Sequence, residues 1–106
     1  MLYTSGIWRA TPGREEEFVE AWSELARWTA EEIAPGAHAM LLRDRDERSR
    51  FVSFGPWETE EQIVAWRGSE GFASRVEAIR ELVDGFEAHT LDLAAQVGRW
   101  LPPQSP

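Results

Sequence analysis

Residues 2–11, LYTSGIWRAT, combine aromatic and β-branched side chains and stop at Pro12-Gly13, which predicts a first strand. From about Arg14 the period becomes helical. Phe18, Trp22, Leu25, Thr29 and Ile33 recur on one stripe, and Glu15, Glu16 and Glu17 set carboxylates at the positive end of the helix dipole. Pro35-Gly36 ends that helix. Residues 37–43 and 50–57 predict strands two and three, joined by the polar turn 44–48 into an antiparallel hairpin. Thr59 and Gln62 have capping-box spacing for a helix reaching Arg67. Gly68 interrupts it, and a second segment over 69–84 stacks Phe72, Val76, Ile79 and Val83, with Gly85 suited to a left-handed cap. Residues 86–97 predict strand four, with a bulge at Thr90-Leu91 where the parity shifts. Residues 1–100 read as one domain, and the proline-rich residues 101–106 as a flexible tail.

The order β-α-β-β-α-β predicts an α+β, ferredoxin-like fold: an antiparallel four-stranded sheet with both helices on one face. The strands are nevertheless apolar on both faces. Phe51 lies beside Val52 and Phe54, and Met40 and Leu42 lie beside Ala39 and Leu41. An uncovered second face would be an apolar patch of several hundred Å², on the order of the largest that monomers expose. A homodimer packed through the sheet face is the simplest cover.

Charge narrows the partners. The net charge is −8, and all 11 basic residues are arginine. That balance argues against DNA, RNA and anionic membrane surfaces, which need a basic footprint. The chain has no cysteine, which removes disulfides and thiolate chemistry and fits a reducing compartment. Its two histidines, His38 and His89, lie far apart with no metal-ligand spacing, and no glycine-rich phosphate loop is present. With no signal peptide and no apolar run near the ~20 residues that span a bilayer, the expectation is a cytoplasmic protein. The six tryptophans read either as filling for a small core or as the lining of a cavity.

Particular residues then narrow the family. Ser5-Gly6-Ile7-Trp8, the Pro12-Gly13 turn, the Gly36 break, Leu42-Arg43-Asp44 and, above all, FVSFGPW at 51–57 followed by AWR at 65–67 resemble the antibiotic biosynthesis monooxygenase superfamily. The resemblance covers residues 3–97 and implies a dimeric α+β barrel. In its haem-degrading branch a tryptophan, a serine and a phenylalanine would fall on Trp66, Ser69 and Phe72. The axial histidine, however, would fall on Val76 and the first-strand asparagine on Gly6, so haem breakdown by that design is not expected. In its cofactor-free oxygenases, an asparagine, a tryptophan and a tyrosine facing one pocket match Gln62, Trp66 and Phe72. Gln62 keeps the amide and Trp66 the indole, whereas Phe72 lacks the hydroxyl.

The resemblance therefore implies a cofactor-independent monooxygenase that uses O2 to convert a phenol or anthrone of polyketide type into a quinone. A non-oxidative ligand-binding protein or polyketide cyclase on the same fold is the alternative. Such oxygenation needs a base, a dry pocket and donors for a developing anion. Trp66 is the expected centre of the site, with His89 or His38 as base. Gln62, Phe72, Trp57, Trp22, Trp8 and Arg67 are expected to contact a hydrophobic aromatic substrate. His38 at the start of strand two reads more readily as a solvated edge residue, and His89 as an interface or surface residue. No metal and no organic cofactor are expected.

Overall fold

In the computed structural model, which describes residues 1–98, the elements follow the expected order. They are β1 (Leu2–Ala10), α1 (Glu15–Trp28), β2 (Met40–Arg43), β3 (Arg50–Trp57), α2 (Glu60–Arg67), α3 (Glu70–Arg80) and β4 (Val83–Asp92). The strands form one antiparallel sheet in the order β2-β3-β1-β4. The expected tail, 101–106, lies outside the described residues.

Alternation along the strands sorts the two faces. On β1 and β3 the buried residues Gly6, Trp8 and Ala10 and Phe51, Ser53, Gly55 and Trp57 alternate with more exposed neighbours, and register puts Trp8 opposite Phe51 and Gly6 opposite Ser53. This is the face that the helices cover. Phe18 and Leu25 of α1 and Ile79 of α3 join Trp8, Ala10, Phe51 and Leu82 in the core. Phe18 bridges the layers, its ring 5.4 Å from that of Trp8 and 4.9 Å from that of Phe51.

The barrel implied by the resemblance is not formed. The sheet is open, with β2 and β4 as its two edges and no pairing between them. Four strands are too few to curl shut, since even small barrels whose interior just holds side chains use about eight. β2, with only four residues, offers little edge to pair.

Other departures have local causes. α1 gives way at Thr29 to a π-helical turn over Thr29–Ile33, closed by the Ala34 N–H donating to the Thr29 carbonyl at 2.9 Å. Strand two begins at Met40 rather than at 37, because residues 38 and 39 pass over Gly55: a Cβ there would lie 3.2 Å from the Ala39 Cβ and 3.3 Å from the His38 carbonyl oxygen. α3 ends at Arg80, and Gly85 is a strand residue opposite Arg9, not a left-handed cap. The bulge sits near Asp84, where the register shifts between Arg9 and Ala10, and not at Thr90-Leu91. Thr11 holds it there by donating from Oγ1 to the Asp84 carboxylate at 2.9 Å and from its N–H to the Leu82 carbonyl. From Gly85 to Asp92 the pairing with β1 is unbroken, which fixes the face of each side chain in β4.

Among the described residues no helix is long and apolar enough to cross a membrane.

Candidate functional site

The helix-facing side of the sheet is bulky at its ends and small in its middle. Trp8, Phe51 and Phe86 stand at one end and Trp57 at the other, while Thr4, Gly6, Ser53, Gly55 and Ala88 lie between them. Helices resting on the bulky ends cannot follow the surface down between them. A cavity of about 210 Å³ results. Trp22, Leu25 and Thr29 roof it from α1 and the turn that follows, Trp66 from α2, and Phe72 and Val76 from α3. His38, Arg67 and Arg80 are exposed and line its opening.

The aromatic wall is braced by ring contacts. Trp66 lies 4.9 Å from Trp57 and meets Phe72 edge-on at 4.7 Å, while Trp8 stacks on Phe86 at 4.1 Å. Each indole N–H of this wall, where it is seen to bond, is satisfied internally. Trp66 Nε1 donates to Thr29 Oγ1 at 2.8 Å, Trp57 Nε1 to Thr4 Oγ1 at 3.0 Å, and Trp8 Nε1 to Ser53 Oγ at 2.9 Å. Thr29 in turn donates to the Leu25 carbonyl at 2.7 Å. The π-helical turn thus starts at the residue that anchors Trp66. These bonds fix the rings and commit their N–H groups within the wall.

Trp8, Trp22, Trp57, Trp66, Phe72, Arg67 and His38 all line this cavity. Gln62 does not join them. Its Oε1 accepts from the N–H groups of Glu58 and Thr59 at 3.1 and 3.3 Å, and its own N–H donates to Thr59 Oγ1, completing the capping box of α2. Ser69, at the tryptophan–serine–phenylalanine spacing, is likewise structural. It accepts from the Phe72 N–H, donates to the Trp66 carbonyl, and so caps α3 at the joint with α2. His89 lies on the other face of the sheet, opposite Ser5 and 3.6 Å from the Glu87 carboxylate on the same strand.

Thr4, Ser53, Thr29 and Arg80 are among the lining residues that the sequence reading did not propose for the site. The signal for two of them was present: Thr4 shares the parity of Trp8, and Ser53 that of Trp57. Three carboxylates are held below their usual range, all outside the cavity lining. Glu15 is lowered chiefly by the Ser49 hydroxyl, Asp44 by the backbone N–H groups of Glu47 and Asp46, and Glu17 by its hydrogen bond from Arg14. They brace the β2–β3 turn and the start of α1, whereas the cavity borders the far end of that helix. Among the described residues, no three His, Cys, Asp or Glu side chains are grouped so that they could hold a metal ion.

Solved structures with the same architecture are numerous, and three illustrate the range. A variant of SnoaB, a cofactor-independent oxygenase from Streptomyces nogalater, superposes with a TM-score of 0.83 at 20% identity, over 92% of this chain and 97% of that one. An antibiotic biosynthesis monooxygenase gives 0.76 at 18% identity, over 90% of this chain and 100% of the other. A conserved protein of unknown function from Bacteroides thetaiotaomicron gives 0.76 at 20% identity, over 87% and 96%. At these identities the likeness is one of fold. No curated protein matches the chain at the level of sequence. The sequence profile described as antibiotic biosynthesis monooxygenase does match, over residues 1–78, a span that holds β1, β3 and the helical residues lining the cavity except Arg80. The chain belongs to the antibiotic biosynthesis monooxygenase family.

Proposed function

We propose that the protein is a cofactor-independent monooxygenase that oxidises a small aromatic, polyketide-like molecule with O2. The observation that carries this reading is the aromatic-walled cavity between sheet and helices, in a chain of this family whose fold is shared with a cofactor-independent oxygenase. Its volume of about 210 Å³ exceeds the roughly 150 Å³ of a cavity that takes up benzene. It falls below the roughly 300–1,000 Å³ of pockets for drug-sized ligands. A compact fused-ring phenol or ketone suits that size.

The chemistry balances without further reactants. An anthrone or naphthol loses a proton to become a carbanion or phenolate, gives one electron to O2, and combines with the resulting superoxide. Loss of water from the peroxide leaves the quinone, so that one O2 yields one quinone and one water. His38 at the opening is the group suited to take the proton. Arg67 and Arg80 there favour the anionic form of the substrate by their charge. Trp66, held by Thr29, sets the ring plane of the substrate, together with Trp22, Trp57 and Phe72. His89 has no part in this reading, because it lies on the opposite face of the sheet.

Oxygen uptake by metal-free protein given anthrone or 1-naphthol tests the proposal, with Trp66→Phe as control. Uptake with quinone formation is expected. It should fall about 10- to 100-fold in the variant, because losing the Thr29 anchor misplaces the substrate by a fraction of its own size. A second reading, a non-oxidative binding protein or cyclase, draws support from two observations. Gln62 spends its amide on the helix cap, and Phe72 lacks a hydroxyl to move a proton. Tight binding of these compounds without any oxygen uptake would favour it.

The uncovered sheet face bears on assembly. Tyr3, Ile7, Met40, Leu42, Val52, Phe54 and Leu91 lie on the side opposite the helices, with Leu42 52% and Leu91 49% exposed. A second copy packed on this face would remove that apolar surface from water. Light scattering is expected to give twice the chain mass, and Leu42→Glu to shift it to the single chain. A wild-type monomer at high micromolar concentration would refute the homodimer.

A further inference from the structure

Ser53 is the one buried polar residue among those described, 7% exposed on the cavity floor. A hydroxyl has one proton to donate and two lone pairs to accept with, whereas an indole N–H can only donate. The bond from Trp8 Nε1 therefore uses Ser53 as acceptor and leaves its O–H proton uncommitted. Thr4 is arranged alike, its Oγ1 accepting from Trp57 Nε1. No described residue accepts from either hydroxyl, and both residues line the cavity. Thr4 pairs with Gly55 and Ser53 with Gly6, so the two are diagonal neighbours across β1 and β3, about 7–8 Å apart. Ala88, a small residue that also lines the cavity, lies beside Gly6 on β4.

We propose that Ser53 and Thr4 form a pair of indole-oriented donors on the cavity floor that selects ligands carrying oxygen acceptors on their rings. The proposal rests on the reading of the cavity as an aromatic ligand site and adds what the ligand must present: a carbonyl or phenolate oxygen directed at the sheet. An apolar cavity without donors disfavours a carbonyl compound relative to its hydrocarbon, because the carbonyl gives up its bonds to water. Two pinned hydroxyls reverse that preference.

The test compares 1-tetralone with tetralin, which share a bicyclic skeleton and differ by one carbonyl oxygen. Affinities are read from tryptophan fluorescence and calorimetry on the full chain. Wild-type protein is expected to bind tetralone at least as tightly as tetralin. Ser53→Ala and Thr4→Val are each expected to lower the tetralone-to-tetralin affinity ratio about three- to ten-fold, the worth of one neutral hydrogen bond, while tetralin itself changes little. Ser53→Ala leaves the Trp8 indole without an acceptor, so the double variant Trp8→Phe with Ser53→Ala serves if the single one unfolds. In wild-type protein the Trp8 indole N–H resonance, assigned by its loss in Trp8→Phe, is expected to move with tetralone and not with tetralin. An unchanged ratio in both single variants, or a Trp8 resonance indifferent to tetralone, would overturn the donor pair and leave the aromatic site standing. Failure of wild-type protein to bind either compound would overturn the aromatic-site reading and this proposal with it.

Discussion

Replacing Phe18 by alanine is expected to cost about 3–5 kcal/mol of stability, the range for truncating a fully buried phenylalanine. Phe18 is 0% exposed and is the side chain through which α1 grips the sheet, touching Trp8 on β1 and Phe51 on β3. Both neighbours are large rings on strands fixed by register, so they cannot collapse into the space that its ring leaves. A domain of this size has about 5–15 kcal/mol of stability in all. The loss should lower the melting temperature by about 15–30 °C. Val97→Ala, at a residue 99% exposed, should fall within about 0.5 kcal/mol of wild type. A loss below about 1 kcal/mol for Phe18→Ala in denaturant titrations would show that α1 is held to the sheet by other contacts.

The second large effect is on binding. Gly6→Ala adds one methyl group on the cavity floor, at a position where a Cβ would lie 2.7 Å from Trp8 Nε1 and 2.9 Å from Ser53 Oγ. Side-chain carbons do not approach nitrogen or oxygen that closely, so the indole must leave Ser53. One side of Trp8 is already filled by Phe86 stacked at 4.1 Å, which leaves the cavity as the direction of escape. Overpacking of this kind costs about 1–3 kcal/mol. It is offset in part by the 0.5–1 kcal/mol that alanine regains over glycine inside a strand. The fold should survive while affinity for aromatic ligands drops at least about ten-fold, with a changed near-UV circular dichroism spectrum reporting the displaced tryptophan. Unaltered ligand affinity would mean that the Trp8 end of the cavity is not where ligands bind. Gly55→Ala is the milder companion: its closest contact, 3.2 Å to the Ala39 Cβ, can relax by a slight shift of residues 38 and 39.

The position of Gly6 also explains why one departure from the family pattern is not a simple loss. The resemblance places an asparagine of the haem-degrading branch at Gly6. In this chain the space such a side chain would fill is taken by the Trp8 indole and its bond to Ser53. Gln62 shows the opposite relation. The same residue satisfied two sequence patterns, the second position of a capping box and the amide of a cofactor-free oxygenase site, and its side chain serves the cap. Backbone N–H groups at a helix start need acceptors wherever the helix lies, and a glutamine three residues past the cap is already within reach of them.

Element order and the capping of α2 were both legible in the chain, because each depends on residues a few positions apart. The aromatic wall was legible as a set of residues: Trp8, Trp22, Trp57, Trp66 and Phe72 sit at strand and helix periods that aim them at the sheet–helix interface. Three things needed the tertiary structure. The sheet stays open because the two edge strands, β2 and β4, never meet, and no local pattern states how far a sheet curls. His89 read either as a base or as an interface or surface residue, and its face is set by the unbroken pairing of β4 with β1 beyond a bulge near Asp84, to which Thr11, 73 residues earlier in the chain, bonds. The cavity itself exists because Thr4 falls opposite Gly55, and Gly6 falls opposite both Ser53 and Ala88. Those alignments are set by long-range pairing between strands. Periodicity can tell which face a small residue occupies, but only strand register brings five of them together and leaves a space that the helices cannot fill.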